Sequence, residues 1–485
     1  MIGSKQIVID ASEFLKGMSS GSEISDGGLS TETEAVNLIA QPGVLYAPAA
    51  EVNGDSDTIL SDEIIASVPD HNVSDIDSRL CVAENGTFYK YNGTKLQHPN
   101  EASAEDSSNT FAKGFTDAIN FAGASFFTSK EKITKWSAAS TFDHDYTTSA
   151  FAFTSYPHPA VVFENNAYYG DGNTLLRQTT VTDTPTTILT LSSDQVIISL
   201  GIDPGSGKML ISTTQTLNVN NTLASINRVH WYDGFSNKTI KSIVVAGMVT
   251  ALHSHGGNVF VGYDGNNIGL LSGSGIHFVR KLNNASNTDV DEMITKHSFA
   301  SIGRTMYIVD GAKILAYGPV FNGNSIWYYC AANKFSSPNK FKCIANVGSN
   351  KLGMSAVSSK FYTIDVTSKA TIDALDLYTN WYNFARPGYI RSIYVQFAEA
   401  DNTNNWTFTY FDQSSASLIN TLQRMEGNIT PVLEADYFVN FADSSDSAGN
   451  TGEGHQAVRA FKLRVQTSTG NKGIKKIIIY YDPAE

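Results

Sequence analysis

The chain has 485 residues, of which 41% are apolar, 11% aromatic and 17% charged, and its formal net charge is −13. This composition supports more than one buried core, whereas 34 basic residues against 47 carboxylates argue against a basic stripe for a nucleic-acid backbone. No window approaches the ~18 consecutive apolar residues of a membrane-spanning helix, so no membrane span is expected.

The first 75 residues form an acidic segment. They hold thirteen carboxylates against two lysines, which accounts for most of the net charge. Acidic side chains interrupt every apolar stretch near the start, so the segment does not resemble a secretory signal, and a product made in the cytoplasm is expected. Apolar side chains are scattered through it, and a segment of this mixture often orders only against a partner. We therefore predict an extended arm over residues 1–75 whose candidate assembly residues are Phe14, Leu15, Leu29, Leu38 and Val44.

Residues 76–370 repeat one local pattern. Seven runs of β-forming residues, each with Asn, Asp or Gly at a turn, begin 35 to 49 residues apart, for example at Lys208, Gly257 and Gly303. Such turns favour tight hairpins because these residues tolerate positive φ. A recurrence of ~40–50 residues built from hairpins is typical of β-propeller blades, and six or seven blades fit this length. Tandem β-sandwiches are the rival interpretation.

Residues 371–485 show alternating apolar and polar positions in several strands, which predicts an antiparallel β-sandwich. The predicted fold class is therefore all-β: an N-terminal arm, a propeller-like centre and a C-terminal sandwich. Three cysteines, Cys81, Cys330 and Cys343, are too few and too scattered for a disulfide framework, so buried free thiols are expected.

Several short motifs imitate functional sites. The stretch Gly201–Leu210 resembles a phosphate-binding loop, but its spacing is one residue too long and Met209 replaces the required hydroxyl, so a hairpin turn is the better interpretation. His253 and His255 would share one face of a strand without further ligands at a fixed spacing. The stretches at Asp143–Asp145, Asp264–Asn267 and Asp401–Asn405 are interpreted as loops and turns. No cofactor, metal or catalytic residue is predicted.

Two alternative functions follow from side chains within the β-rich regions. A propeller glycosidase would need paired carboxylates, for which Glu164, Asp171 and Asp310 are available. A receptor-binding or decoration protein would hold host glycans on exposed aromatic residues, with candidates Trp381, Tyr382 and Trp406, although packing in a core is the favoured explanation for all three.

The stretch KGMSSGSEISDGGLSTETEAVNLIAQPGVLY, within residues 16–46, resembles the N-terminal arms of tailed-bacteriophage virion proteins. The order of arm, propeller-like centre and sandwich is similar to that of tail nozzle or hub proteins of short-tailed phages. The resemblance implies a structural, non-enzymatic protein of the virion tail. It implies a homo-oligomeric ring, usually sixfold, that contacts the portal-adaptor and other tail proteins while DNA passes through transiently. It assigns no functional residue to this chain.

Overall fold

The computed structural model describes the chain in separate stretches. They are residues 5–9, 39–41, 44–46, 48–52, 64–71, 78–83, 86–92, 96–97, 116–130, 132–136, 142–143, 152–154, 157–219, 222–282, 294–311, 313–321, 324–331, 341–356, 361–369, 376–378, 382–397, 406–412, 420–422, 436–440, 458–467 and 474–484. Among these residues, no helix is long and apolar enough to cross a membrane.

The described strands are numbered in chain order, beginning with four short ones: β1 (Lys5–Ile9), β2 (Ile39–Gln41), β3 (Val44–Tyr46) and β4 (Pro48–Val52). Those that follow are β5 (Ile64–Pro69), β6 (Ser78–Ala83), β7 (Phe88–Asn92), β8 (Leu96–Gln97), β9 (Asp117–Phe121), β10 (Ala124–Thr128), β11 (Ile133–Trp136), β12 (Phe142–Asp143), β13 (Ala160–Phe163), β14 (Asn166–Asp171), β15 (Thr174–Gln178), β16 (Thr186–Thr190), β17 (Gln195–Asp203), β18 (Lys208–Val219), β19 (Thr222–Tyr232), β20 (Lys241–Val245), β21 (Val249–His255), β22 (Asn258–Tyr263), β23 (Asn267–Leu271), β24 (Ile276–Lys281), β25 (Phe299–Ile302), β26 (Thr305–Asp310), β27 (Lys313–Phe321), β28 (Asn324–Ala331), β29 (Phe341–Val347), β30 (Lys351–Ala356) and β31 (Phe361–Lys369). The last strands are β32 (Asp376–Tyr378), β33 (Tyr382–Phe397), β34 (Trp406–Asp412), β35 (Asn420–Leu422), β36 (Asp436–Asn440), β37 (Val458–Thr467) and β38 (Ile474–Pro483).

Strands β4 to β31 form seven antiparallel sheets of four strands within the described residues. Blades 1 to 6 are β5–β8, β9–β12, β13–β16, β17–β20, β21–β24 and β25–β28, each in chain order, and blade 7 has the order β29-β30-β31-β4. The predicted all-β, propeller-like fold is confirmed. Each of the seven runs found in the sequence lies in a different blade.

The blade hairpins turn where the sequence places glycine. Gly172, Gly207 and Gly265 have φ values of +59°, +62° and +79°, a backbone conformation that a Cβ disfavours. The stretch Gly201–Leu210, which resembles a phosphate-binding loop, contains one of these turns, because Asp203 pairs with Lys208 in the β17–β18 hairpin. The interpretation of Gly201–Leu210 as a hairpin is therefore confirmed.

Apolar side chains between successive blades form the core. Blades 4 and 5, for example, share a cluster that includes Leu210, Val229, Leu252 and Val261. A corresponding cluster joins blades 1 and 7 through residues that include Cys81, Tyr89, Cys343 and Val347. The seventh blade thus packs against the first, which closes the ring of blades. Cys81 and Cys343 are buried and free, as expected, whereas the side chain of Cys330 lies outside the description.

The chain divides into two compact units. The propeller unit comprises residues 52–312 and 337–363, and the terminal unit comprises residues 1–51, 313–336 and 364–485. The first strand of every blade belongs to the propeller unit, so the closed ring of inner strands is formed within that unit.

The terminal unit contains a ten-stranded sheet with the order β2-β3-β38-β33-β37-β34-β35, and β1, β32 and β36 pair beside this path. Strand β33 pairs with β37 near Tyr382 and with β38 from Gly388 onward. The register breaks between these two parts, where Pro387 cannot donate a ladder hydrogen bond. One strand thus joins two groups of strands within a single sheet, and the antiparallel β-sandwich over residues 371–485 stays a prediction.

The N-terminal segment differs from the predicted arm. Strand β1 pairs with β38 from Lys5 to Ile9, β3 pairs with β38 at Leu45, and β4 pairs with β31 in blade 7. Blade 1 begins at Ile64, before the expected boundary at residue 76. The predicted arm over residues 1–75 therefore includes a blade strand, because β4 supplies the fourth strand of blade 7. Phe14, Leu15, Leu29 and Leu38 lie outside the described residues, and Val44 is the first residue of β3.

Candidate functional site

A polar cluster lies at the inner strands of the propeller unit. We call Asp117, Lys296 and His297 the axial cluster. Asp117 opens β9 in blade 2, and the other two residues lie in a 3-10 turn, Lys296–Ser298, just before β25 of blade 6. This turn lies against β5, β21 and β29, which are the first strands of three other blades.

Both carboxylate oxygens of Asp117 accept hydrogen bonds. Its Oδ1 lies 2.6 Å from Lys296 Nζ and 2.8 Å from His297 Nε2, and the backbone N–H of Ala118 also donates to it. Its Oδ2 accepts from the backbone N–H of Ala160 in blade 3 at 2.7 Å. Lys296 also donates to the Ala160 carbonyl. The cluster therefore links the turn before blade 6 to blades 2 and 3.

Burial and the neighbouring charged groups have opposite effects on the pKa of Asp117. Burial alone would raise its pKa, but Lys296 and the hydrogen bonds from His297 and Ala160 hold the pKa below its ordinary value. Burial lowers the pKa of His297, against the raising effect of Asp117. A carboxylate held ionised with its lone pairs occupied is poorly suited to transfer a proton.

The carboxylates considered for glycoside hydrolysis lie at different positions in blades 3 and 6. Asp171 accepts hydrogen bonds from the backbone N–H and the hydroxyl of Thr154, at 2.8 Å and 3.0 Å. Asp310 is completely buried at the end of β26, whereas Glu164 occupies a positive-φ position in the β13–β14 turn. Asp171 thus holds the chain segment that leads into its own blade.

The turn at Asp264 likewise holds the chain segment that leads into blade 5. Its Oδ1 accepts from the backbone N–H of Met248, which precedes β21. Asp171 and Asp264 therefore have the same structural role, because each carboxylate fixes the connection that enters its blade. This interpretation of Asp264–Asn267 as turn chemistry is confirmed.

His253 and His255 lie on one face of β21, as predicted. Both rings lie within hydrogen-bond distance of Ser301 Oγ in blade 6, at 2.9 Å and 3.0 Å. His253 also stacks on Phe299 with ring centroids 5.1 Å apart. The described stretches hold no group of three or more His, Cys, Asp or Glu side chains able to bind a metal.

A cleft opens between blades 4 and 5, and we call it the rim cleft. It has a volume of about 440 Å³ and lies among the turns β17–β18, β19–β20, β21–β22 and β23–β24. Its polar lining includes Asp203, Lys208, Lys241 and Asn258, and its apolar lining includes Trp231. No sequence motif marks this cleft, because its lining residues are spread from Asp203 to Gly273.

Hydrogen bonds inside the rim cleft involve Asp203 and Lys241. Asp203 Oδ2 accepts from Trp231 Nε1 at 2.9 Å and from Ser206 Oγ at 2.7 Å. Although burial acts to raise the pKa of Asp203, these bonds hold it below its ordinary value. Lys241 lies 4.9 Å from the Trp231 ring centre and donates to the Gly273 carbonyl. Hydrogen bonds from Ser236 lower the pKa of Asp233 to about 2, and the nearby Lys208 adds to this effect.

Large exposed apolar side chains occur on blades 4 and 5. Of the described residues, the four with this property are Phe235 (65% exposed), Ile240 (57%), Val244 (63%) and Phe278 (61%), and we call them the rim patch. Val244 lies on β20 and Phe278 on β24, the fourth strands of blades 4 and 5. Apolar side chains grouped at such exposure are typical of an interaction surface.

Among the aromatic residues proposed for glycan binding, Tyr382 is buried in the terminal unit. Trp406 is the first residue of β34, and its side chain is outside the description, as is the whole of Trp381. The calcium-like stretch Asp401–Asn405 and most of Asp143–Asp145 also lie outside it.

No protein-family model and no curated protein matches the sequence. The chain is similar in structure to the extracellular domain of a hybrid two-component system from B. thetaiotaomicron, with 8% identity and a TM-score of 0.44. That match covers 81% of this chain and 54% of the other, so the chain spans about half the length of that domain.

Two other solved structures are similar over about two thirds of the chain. Saccharomyces cerevisiae Sqt1 has 9% identity and a TM-score of 0.42, covering 69% of this chain and 87% of that one. A Phanerochaete chrysosporium exo-β-1,3-galactanase has 9% identity and a TM-score of 0.28, covering 69% and 97%. Likeness at these values carries no argument about activity.

Proposed function

We propose that this chain is a structural protein of a phage virion, a tail nozzle or hub that assembles into a homo-oligomeric ring and has no catalytic role. The rim patch carries this proposal. Four large apolar side chains, each more than half exposed, lie in two neighbouring blades of an otherwise polar chain with net charge −13. Such a surface favours burial against a partner, at ~25 cal/mol per Å² of apolar area removed from water.

The hydrogen bonding of the chemically capable residues supports a non-enzymatic role. Asp117 binds Lys296, His297 and two backbone N–H groups, and Asp171 binds Thr154. Each of these contacts fixes a connection between blades or into a blade. Because hydrogen bonds of this kind hold the fold, the same carboxylates are poorly placed to act on a substrate.

The charge of the chain suits a conduit for nucleic acid. A ring whose lumen has the same sign of charge as DNA repels phosphates and lets the duplex pass without binding. We propose that the ring lies below the portal-adaptor, contacts other tail proteins and surrounds DNA only during ejection.

Electron microscopy of the purified full-length chain tests this proposal. We expect closed rings of uniform subunit number, with six as the expected count, alone or after addition of the adaptor. A species that stays monomeric at virion-like local concentration, with adaptor present, would contradict it. Hydrolysis of a reporter sugar by the same preparation would instead support a propeller glycosidase.

A further inference from the structure

Two imidazoles and one hydroxyl converge between blades 5 and 6. His253 and His255 lie on one face of β21, and Ser301 lies on β25, the first strand of blade 6. Ser301 Oγ is 2.9 Å from His253 Nε2 and 3.0 Å from His255 Nδ1. The serine follows His255 by 46 positions in the sequence. The neighbouring blade therefore supplies a third polar group, at no fixed short spacing from the two histidines.

The spacing of these three atoms is that of adjacent ligands around one metal ion. First-row cations bind imidazole nitrogen at about 2.1 Å, so two ligands at a right angle lie ~3.0 Å apart, whereas a tetrahedral arrangement separates them by ~3.4 Å. The two N···O distances at Ser301 agree with the right angle. The geometry thus suits an ion with more than four ligands, whose remaining positions are filled by water.

The second ring nitrogen of His255 is bound as in metal-ligating histidines. His255 Nε2 lies 3.2 Å from the Arg304 carbonyl oxygen, which can only accept a hydrogen bond, so Nε2 carries the hydrogen. The lone pair of this ring is therefore on Nδ1, the atom that faces Ser301. Histidine ligands commonly donate their other N–H to a backbone carbonyl, which fixes the tautomer and the ring orientation.

The ring of His253 is also held in place. It stacks on Phe299 with centroids 5.1 Å apart and an angle of 14° between the ring planes. Burial lowers the pKa of both imidazoles, that of His253 to about 4, so both are neutral at neutral pH and need not lose a proton to bind a metal. Both rings and Ser301 are partly exposed, which leaves the three groups accessible to an ion from solvent.

We propose that His253, His255 and Ser301 bind one divalent first-row transition-metal ion, which links blade 5 to blade 6. Imidazole ligands favour such ions over Mg²⁺ and Ca²⁺. Without the ion, Ser301 donates to His255 Nδ1 and His253 Nε2 donates to Ser301. When the ion binds, the hydroxyl hydrogen turns away and His253 carries its ring hydrogen on Nδ1, so no proton is released. The site is independent of the proposed ring-forming function.

Calorimetric titration of the untagged, EDTA-treated full-length chain with Ni²⁺ tests the site. We expect one Ni²⁺ per chain. His253→Gln and His255→Gln should each weaken binding by about tenfold or more, since loss of a group that only orients a ligand already costs ~10–100-fold. Ser301→Ala should weaken binding less, because a neutral hydroxyl is the weaker ligand. His277→Gln, at an exposed position on β24, is the matched control and should bind as the parent does.

Two further measurements use the same protein. The ion requires both blades in contact, so the thermal midpoint of the parent should rise with the logarithm of the Ni²⁺ concentration above the dissociation constant. His253→Gln and His255→Gln should abolish this rise, and His277→Gln should keep it. Electron paramagnetic resonance of the Cu²⁺-loaded parent needs no variant and should show hyperfine coupling to two imidazole nitrogens.

A parent chain that shows no saturable Ni²⁺ binding would overturn the proposal. Equal affinities for the parent, His253→Gln and His255→Gln would do the same, because the ion would then be held elsewhere. A Cu²⁺ spectrum with a single coupled nitrogen would exclude the pair of imidazoles. An affinity that is unchanged by Ser301→Ala would contradict the link to blade 6.

Discussion

The inner strands and the outer rim of the propeller use polar and apolar side chains in opposite ways. At the inner strands, both carboxylate oxygens of the buried Asp117 contact partners, which come from blade 2, blade 3 and the turn before blade 6. At the rim of blades 4 and 5, Val244 and Phe278 are more than 60% exposed. The buried charges therefore stabilise the fold, and the exposed apolar groups are available to a partner.

This contrast separates stability from assembly. A substitution in the axial cluster should lower the free energy of unfolding, because it leaves a buried group without its partner. A substitution in the rim patch should leave that free energy unchanged and alter contacts with other chains.

The largest expected effect on stability comes from Asp117→Ala. It leaves Lys296 without its counterion and Ala160 N–H without an acceptor, which should cost ~3–5 kcal/mol of unfolding free energy. Urea denaturation followed by fluorescence measures this. Combining the change with Lys296→Met should restore part of the loss, and a double variant that loses the full sum would show that the two residues act independently.

Overpacking between blades 4 and 5 should have the next largest effect. A Cβ on Gly201 would lie 2.5 Å from Leu252 Cβ and 3.3 Å from the Leu252 carbonyl, so Gly201→Ala should cost ~1–3 kcal/mol. Gly275→Ala is the matched control, because a Cβ there has no neighbour within 4 Å. Equal thermal midpoints for the two variants would show that blades 4 and 5 shift apart enough to accommodate the added Cβ without loss of stability.

Acidification should destabilise the propeller through buried imidazoles. Burial, helped by His255, lowers the pKa of His253 to about 4, and burial with Arg228 lowers that of His230 to about 4. The unfolded chain, with an ordinary pKa near ~6.5, binds more protons between these values. Stability is therefore full above pH ~6.5 and falls as the pH drops towards 4.

Unfolding free energies at several pH values measure this slope. His253→Gln should flatten it, whereas His277→Gln, at an exposed position on β24, should leave it as it is. A slope that is unchanged by His253→Gln would assign the acid sensitivity to other groups.

The smallest effect on folding is expected at the rim. Phe278→Ser changes a side chain that is 61% exposed, so the free energy of unfolding should stay within about ±0.5 kcal/mol of the parent value. Urea denaturation checks this, and a loss as large as that of Gly201→Ala would make Phe278 a core residue.

The propeller could be predicted because its signal is local and repeated. Every blade carries a hairpin with a turn such as Asp171-Gly172, and such a turn depends only on adjacent residues. The fourth strand of blade 7 could not be predicted, since β4 has the sequence PAAEV, without β-branched alternation, and its partner β31 is some 300 residues away. The axial cluster could not be predicted for the same reason, because Asp117 and His297 are 180 positions apart in the sequence.

Sedimentation velocity on the double variant Val244→Ser with Phe278→Ser tests the central claim most directly. Thr187→Ala, at an exposed position on β16 of blade 3, serves as the control. We expect the double variant to sediment as a monomer at concentrations where the parent and the control form rings, with an unchanged urea midpoint. Rings of parental size from the double variant, or a monomer that has also lost stability, would contradict the separation of a folding centre from an assembling rim.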